Sequence, residues 1–333
     1  MTLKVPLWLV LCVSVLPAVV MSFRRLPVHD RGSRLLLRMA STEKYKSNPP
    51  TPKRFTVRPD QVLNVAAASF PLVTRLGSGI TVSGYKVGIE KTNQTTADAQ
   101  SSSPAEYALF DFGGRRTVEG SALGARPAKP VVLYEFEGCP FCKKVREAVS
   151  ILDLDVEMRP CPKDGTTYRE YVSQTGGKKM FPYLEDPNTG TKMYESDDII
   201  QYLFDQYGDG KVPSLLTMGA LTTITAGLGL APRLGRGSSC KPSKKANKSL
   251  ELWGYEGSPF VKLVREVLCE RELPYLMLNC ARGSPKRQEL YERQGTFQVP
   301  YLEDPNTGVK MFESAEIVEY LNSEYGVETE PSA

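Results

Sequence analysis

The chain has 333 residues, is 41% hydrophobic and 24% charged, and has a formal net charge of +4, the profile of a soluble globular protein long enough for about two domains. The charge is uneven: residues 1–54 hold ten Lys/Arg against two Asp/Glu, so the remaining 279 residues carry a net excess of four acids and offer no global case for nucleic-acid binding. The single histidine, His29, lies in the basic stretch, which excludes a Ser-His-Asp triad, a Cys-His dyad or a His-rich zinc site in the body.

In chain order, Lys4 precedes an apolar run from Val5 to Val20, and residues 1–22 read as a signal peptide. From Phe23-Arg24-Arg25 onward, residues 23–53 are rich in arginine and poor in acids, as transit segments are. A signal followed by a transit segment, with Phe near the junction, resembles the bipartite leaders of algae with complex plastids. That resemblance implies a plastid (chloroplast) location, with ordinary secretion as the alternative. Residues 54–129 read as an N-terminal extension. Within it Gln61–Ile80 is apolar but broken by Pro71 and Arg75, and Lys91–Ser103 is Ser/Thr-rich and expected to be disordered.

A repeat organises the body of the chain. Residues 133–142 (LYEFEGCPFC) match 252–261 (LWGYEGSPFV), 143–161 match 262–280, and 181–203 match 299–321. The run Pro182–Gly190 is identical to Pro300–Gly308, and the offset is 119 residues at first and 118 later. Each unit of about 80 residues reads β-α-β-α-β-β-α, from β-type runs, a Pro at a helix start, apolar stripes at helical spacing and a turn at Asp186–Gly190. Ser196 is expected to cap the last helix of the first unit. Alternating strands and helices imply an α/β sheet covered by helices. The two units span residues 130–210 and 250–326.

The seven cysteines are too few for a disulfide scaffold in this length. Cys139 and Cys142 form Cys-Pro-Phe-Cys where a helix starts, so unpaired backbone N–H groups would favour a Cys139 thiolate and Cys142 could resolve a mixed disulfide. Lys143, Lys144 and Arg146 are expected to add positive charge there, opposed by Glu135 and Glu137. Inert thiols and half a zinc site are the other readings, but no second Cys-x-x-Cys exists and no metal is expected. Cys161 and Cys280 end the second strand of each unit, either as a third redox thiol or as small core residues; Cys269 sits in a helical stripe and reads as core. Pro182 is expected to follow a cis bond.

This order, with Cys-Pro-Phe-Cys at the first helix and Pro182 opening the third strand, resembles the thioredoxin fold. More narrowly it resembles glutaredoxins and glutathione S-transferase N-terminal domains. From Arg54 to Gly326, about four-fifths of the chain, it resembles a plastid family with two such domains in tandem. The resemblance implies two tandem thioredoxin-like domains joined by a long, partly helical linker. It implies glutathione as cofactor and a glutaredoxin-like thiol-disulfide oxidoreductase, with Cys139 attacking, Cys142 resolving, and Phe181, Pro182, Glu195 and Ser196 seating glutathione. A cluster-bridging glutaredoxin, using one cysteine and glutathione, belongs to the same resemblance. Glutathione or protein disulfides would be the partners. The second-unit counterparts are Ser258, Val299, Pro300, Glu313 and Ser314. A non-catalytic glutathione-binding or protein-interaction module is the alternative reading.

In the second unit Ser258 and Val261 replace the two cysteines, which removes dithiol exchange. Gly257-Ser258-Pro259-Phe260-Val261 resembles serine-type glutathione transferases, a further alternative, although the all-helical domain that builds their electrophile pocket is not expected here. Otherwise Ser258 is a helix cap. Arg282, Lys286 and Arg287 form a basic loop, read as solvated or as taking an anion. Residues 211–249 are the linker. It is uncharged from Val212 to Pro232, long enough to span a bilayer, then carries six Lys/Arg and no acid from Arg233 to Ser249. Residues 212–232 are read either as a helix packed on the domains or as a helix on an anionic membrane surface.

Overall fold

The computed structural model describes residues 42–53, 56–91 and 111–327. The signal segment, the transit segment as far as residue 41, most of the Lys91–Ser103 stretch, Cys12 and His29 lie outside the described residues. The N-terminal part holds a short helix at residues 42–47 (α1) and the apolar helix α2 (Val62–Thr74). A small antiparallel sheet follows, β1 (Lys86–Lys91), β2 (Asp111–Phe112) and β3 (Arg115–Gly120), in the order β1-β3-β2.

Each copy of the repeat then folds in the expected order. The first has β4 (Val131–Glu135), α3 (Pro140–Ile151), β5 (Val156–Pro160), α4 (Tyr168–Gly176), β6 (Tyr183–Asp186), β7 (Thr191–Met193) and α5 (Ser196–Tyr207). The linker forms α6 (Ser214–Thr217) and α7 (Ala220–Leu230). The second copy has β8 (Leu250–Gly254), α8 (Pro259–Glu270), β9 (Tyr275–Asn279), α9 (Lys286–Gln294), β10 (Tyr301–Asp304), β11 (Val309–Phe312) and α10 (Ser314–Tyr325). Tandem α/β units of thioredoxin type are therefore what the chain builds.

The two units share one eight-stranded sheet, ordered β11-β10-β8-β9-β5-β4-β6-β7. They join where β5 pairs antiparallel with β9, in the register Val156↔Met277, Glu157↔Leu276 and Met158↔Tyr275. Glu157 and Leu276 are equivalent positions of the repeat, so a pseudo-two-fold axis passes through that pair. Val131, Leu133, Val145, Leu184 and Leu203 fill the first half of a continuous core, and Leu250, Leu252, Val264, Leu302 and Leu321 fill the second.

The identical run Pro182–Gly190 has a structural explanation. Asp186 takes hydrogen bonds from the Asn188 backbone N–H (2.8 Å) and the Tyr202 and Tyr207 hydroxyls (2.7 and 2.5 Å). Asn188 then bonds both the N–H and the carbonyl of Lys129, each at 2.9 Å. Asp304, Asn306 and Lys248 repeat the arrangement. The turn thus staples each unit to the strand entering it.

The duplication reaches further back than the 80-residue unit. Arg75-Leu76-Gly77-Ser78-Gly79 after α2 is matched by Arg233-Leu234-Gly235-Arg236-Gly237 after α7. The two leaders cross over. Helix α2 packs on α8, α7 packs on α3, and α2 and α7 pack on each other. Arg75 bonds Glu147 of α3 at 2.7 Å, and Arg233 bonds Glu266 of α8 at 2.7 Å. Gly79 lies against the Cβ of Glu256, while Gly237 lies against the Cβ of Glu137, where an added Cβ would approach to 2.6 Å. Both glycines have φ near +80° or +73°, a conformation other L-residues rarely adopt.

The uncharged stretch from Val212 to Pro232 does not form one long helix. Gly219, at φ +57°, separates α6 from α7, and among the described residues no helix is long and apolar enough to cross a membrane.

Candidate functional site

Helix α3 starts at Pro140, and the residue before it, Cys139, has extended backbone and caps the helix with its sulfur, which accepts the Cys142 backbone N–H at 3.3 Å. The hydrogen bond from the Cys142 side chain, helped by its backbone N–H, holds the Cys139 thiol below its ordinary value against burial. Burial, and then Cys139 itself, push the Cys142 thiol well above its ordinary value. The pair is thus asymmetric, an ionisable outer sulfur over a protonated inner one. Cys139 is only 4% exposed and Cys142 is fully buried, while Phe141 between them reaches solvent.

The second unit places Ser258 identically, its hydroxyl accepting the Val261 N–H at 3.3 Å. Val261 fills the space of Cys142, and a Cβ on Gly254 would approach its methyls at 2.6–2.7 Å, so Glu135 has become Gly254 beside it. Helix α2 closes this end, leaving a cavity of ≈ 10 Å³ between Ser258, Lys262 and Pro71, room for about one water and no thiol substrate. The geometry matches the helix-cap reading of Ser258.

Segments from the leaders cover both helix starts. The N–H of Gly138 bonds the carbonyl of Gly237 at 3.3 Å, and the N–H of Gly257 bonds that of Gly79 at 3.4 Å. Isolated β-bridges, Lys163↔Ser239 and Thr81↔Arg282, continue each strap over the neighbouring unit.

The charges around Cys139 are not disposed as the sequence led us to expect. Lys143 bonds Glu256 of the second unit at 2.7 Å and Arg146 bonds it at 3.0 Å, while Lys262 and Arg265 reach back to Glu137 at 2.8 and 3.1 Å. All six side chains are buried, so Lys143 and Arg146 bind the units together and are not a free field at the thiol. Arg146 also pairs with Glu135. Burial opposes ionisation of Glu256, but Arg146, Arg265 and Lys143 overcome it and hold the carboxyl at about 2. Glu135 lacks such company: burial outweighs Arg146 and raises it to about 7. Lys144 alone turns away from the second unit, bonding Asp197 of α5 at 2.5 Å.

That bond brings the starts of α3 and α5 together, and Phe136 meets Phe181 edge to face with ring centres 6.3 Å apart. The Phe181-Pro182 and Val299-Pro300 bonds are both cis. Glu195, not Ser196, is the N-cap of α5, and it makes no side-chain cap bond; Ser196 is the first helical residue and is buried. Glu195 has φ +63° and is exposed, and Glu313 repeats the conformation at φ +71°. The two corners differ in occupancy. Glu313 accepts the backbone N–H of Lys53 and the Gln298 amide, each at 2.8 Å, whereas Glu195 has no such partner among the described residues. Arg58 extends the grip on Glu316 and Glu319 at 3.1 and 2.9 Å. The chain's own arm thus occupies the second corner, and no equivalent segment among the described residues occupies the first.

A family model described as "Glutathione S-transferase, N-terminal domain" matches residues 133–220 and 252–331, just over half of the chain. The chain belongs to the glutathione S-transferase N-terminal domain family. Membership is carried twice, and a glutathione-related thioredoxin fold is common to both copies. No curated protein and no solved structure matches the chain.

Within these two glutathione S-transferase N-terminal domains, the remaining cysteines are core. Cys161 and Cys280 are fully buried and burial raises both thiols, Cys280 to about 12. Cys269 accepts the Glu137 N–H at 3.4 Å and lies 3.2 Å from the Gly237 carbonyl. The basic loop is partly solvated, with its charges engaged: half-buried Arg282 pairs with Glu119, Lys286 with Asp155, and buried Arg287 lies over the Phe297 ring. Sequence reasoning missed Arg75, Arg233 and the two Arg-Leu-Gly-x-Gly straps, although their repetition at an offset of 158 residues was there to find.

Proposed function

We propose that the protein is a glutathione-dependent thiol-disulfide oxidoreductase of glutaredoxin type, with its chemistry confined to the first unit. The observation that carries this reading is the geometry at the start of α3, where the Cys139 sulfur caps the helix and accepts the Cys142 N–H at 3.3 Å above the buried Cys142. Cys139 attacks a sulfur of a disulfide or glutathione mixed disulfide; the S–S bond breaks and the leaving thiolate takes a proton from solvent. Cys142, giving up its proton, then attacks Cys139 in the mixed disulfide and releases the second thiol, and two equivalents of glutathione restore the dithiol. In the first unit Glu195 and Ser196 at the start of α5 would hold the γ-glutamyl end of glutathione, and the Phe181 backbone its peptide. The second unit supplies half of the sheet and the charged contacts that hold α3.

One observation favours a non-catalytic binding module: Cys139 is 4% exposed beneath the Gly237 strap. Turnover of a small glutathione mixed disulfide by the full chain, beside Cys139→Ser and Cys142→Ser, separates the two. The oxidoreductase loses all turnover in Cys139→Ser and keeps the one-cysteine step in Cys142→Ser. No turnover by the unsubstituted chain, with both thiols titratable after unfolding, overturns the reading in favour of the binding module.

A further inference from the structure

Helices α2 and α7 lie side by side over the two helix starts and contain no Asp, Glu, Lys or Arg. Their inner faces are used against α8 and α3. A helix covered on one side needs no apolar residues on the other, yet Leu63, Phe70 and Leu76 of the first leader are exposed, as are Leu221, Leu228 and Leu234 of the second. These six are three equivalent pairs at the same offset of 158 residues, so the leaders present the same apolar face twice. Leu76 and Leu234 are the extreme case. They sit at φ +47° and +49°, a region that leucine rarely occupies, and are 76% and 92% exposed. A strained backbone that projects an apolar side chain into water serves no packing among the described residues.

We propose that this face docks on an anionic lipid surface, with Leu76 and Leu234 entering the boundary between headgroups and acyl chains. Three features select lipid over a second protein. The face has no charged side chain on either helix, whereas protein interfaces are rimmed by polar and charged groups. Two projecting leucines need a pocket each in a protein partner but none in a fluid. The chain bordering the second leader is basic: exposed Lys211 precedes it, exposed Arg236 lies two residues beyond Leu234, and no acid occurs from Val212 to Ser249, while beside the first leader Arg58 and Asp60 pair with each other. Part of the Arg236 charge is spent on Glu270, at 3.1 Å. Helix α7, with 11 residues, is about 16 Å long, half the hydrocarbon thickness, so it lies in the interface plane and does not cross.

The test uses the full chain and vesicles of phosphatidylcholine with or without phosphatidylglycerol. A tryptophan placed by Leu234→Trp in a Trp8→Phe background is expected to shift to the blue and to be quenched by brominated acyl chains, since Trp253 is buried in the fold. This readout is local and insensitive to lipid binding by residues 1–22. In the same assay, the pair Leu76→Asn and Leu234→Asn is expected to lower partitioning about tenfold. Asn tolerates the left-handed region better than Leu, so a loss is not an unfolding effect. An unquenched Trp at 234 on lipid-bound protein overturns the proposal, as does partitioning unchanged by the Asn pair. Equal binding to uncharged vesicles removes the anionic requirement and overturns it in that form. A concentration-dependent dimer in gel filtration that the Asn pair abolishes assigns the face to a second copy instead.

Discussion

Replacing Glu256 by Gln removes the charge that draws three cations of both units to one point. The carboxylate is fully enclosed and bonded by Lys143 at 2.7 Å, Arg146 at 3.0 Å and Arg265 at 2.7 Å. Two routes give the cost. Stripping one partner from a buried ion pair costs about 3–5 kcal/mol, because the cations stay buried without compensation. Independently, a carboxyl that moves from its ordinary 4.5 to about 2 on folding gains about 3 kcal/mol of stability at neutral pH. Glu256→Gln is therefore expected to lose about 3 kcal/mol in urea denaturation at pH 7, with Glu137→Gln close behind it by the pseudo-symmetry. The pH dependence has a definite sign. Folding depresses this carboxyl, so its contribution is complete above 4.5 and is lost as pH falls towards 2. At pH 3.5 the gap between the unsubstituted protein and the Gln variant should narrow by about 1.4 kcal/mol. A loss under about 1 kcal/mol at pH 7, or a gap that does not narrow on acidification, would refute the reasoning and leave the network as mere proximity.

Two further predictions concern access and the N-terminal arm. Gly237→Val, which puts a branched side chain at φ +73° and against Glu137, should loosen the strap over Gly138 and speed Cys139 alkylation about tenfold, equivalent to about 1.4 kcal/mol in the opening equilibrium. Gly79→Val loosens the opposite strap and should leave that rate unchanged; equal acceleration by both would mean general unfolding. Arg58→Ala combined with Glu313→Ala removes the grip on Lys53 and Arg58 and should hasten tryptic cleavage after Lys53 by about tenfold. Unaltered cleavage would place the hold on the arm elsewhere, at Tyr45 against Tyr320.

The repeat made the fold legible, because strand alternation, the proline before each long helix and the glycine-bounded turn recur twice. The longest identical run, Pro182–Gly190, is a structural staple whose Asp186 and Asn188 must reach fixed partners, and that demand resists change more than chemistry does. The thiols were readable because a helix start has a local signature, whereas the Glu195 corner came only through the resemblance, and the cap itself falls on Glu195 where the sequence pointed to Ser196. The destination of Lys143 and Arg146 was not, since their partner Glu256 lies more than a hundred positions away and only the joining of β5 to β9 brings it near. Burial of the linker helix over α3 was likewise invisible: its composition suits both a membrane surface and a protein core, and composition carries no contact.

The crossed leaders have a consequence for how the chain came to carry one reactive site. The β5–β9 joint, the crossed leaders and the Glu137 and Glu256 ion pairs each occur twice, once in each direction, as contacts do between identical subunits of a homodimer. A single half, with its own leader, would leave its own helix start uncovered and its Glu137 with Arg146 alone, stripped of Lys262 and Arg265, so it could satisfy itself only by pairing with a copy. Covalent fusion fixes the ratio of the two halves at one to one. Drift in one half is then free to discard its thiols, as at Ser258 and Val261, while the ionic and sheet contacts it owes to its neighbour stay under constraint. An assembly of separate identical subunits could not make that division of labour, because each change would strike both sites at once.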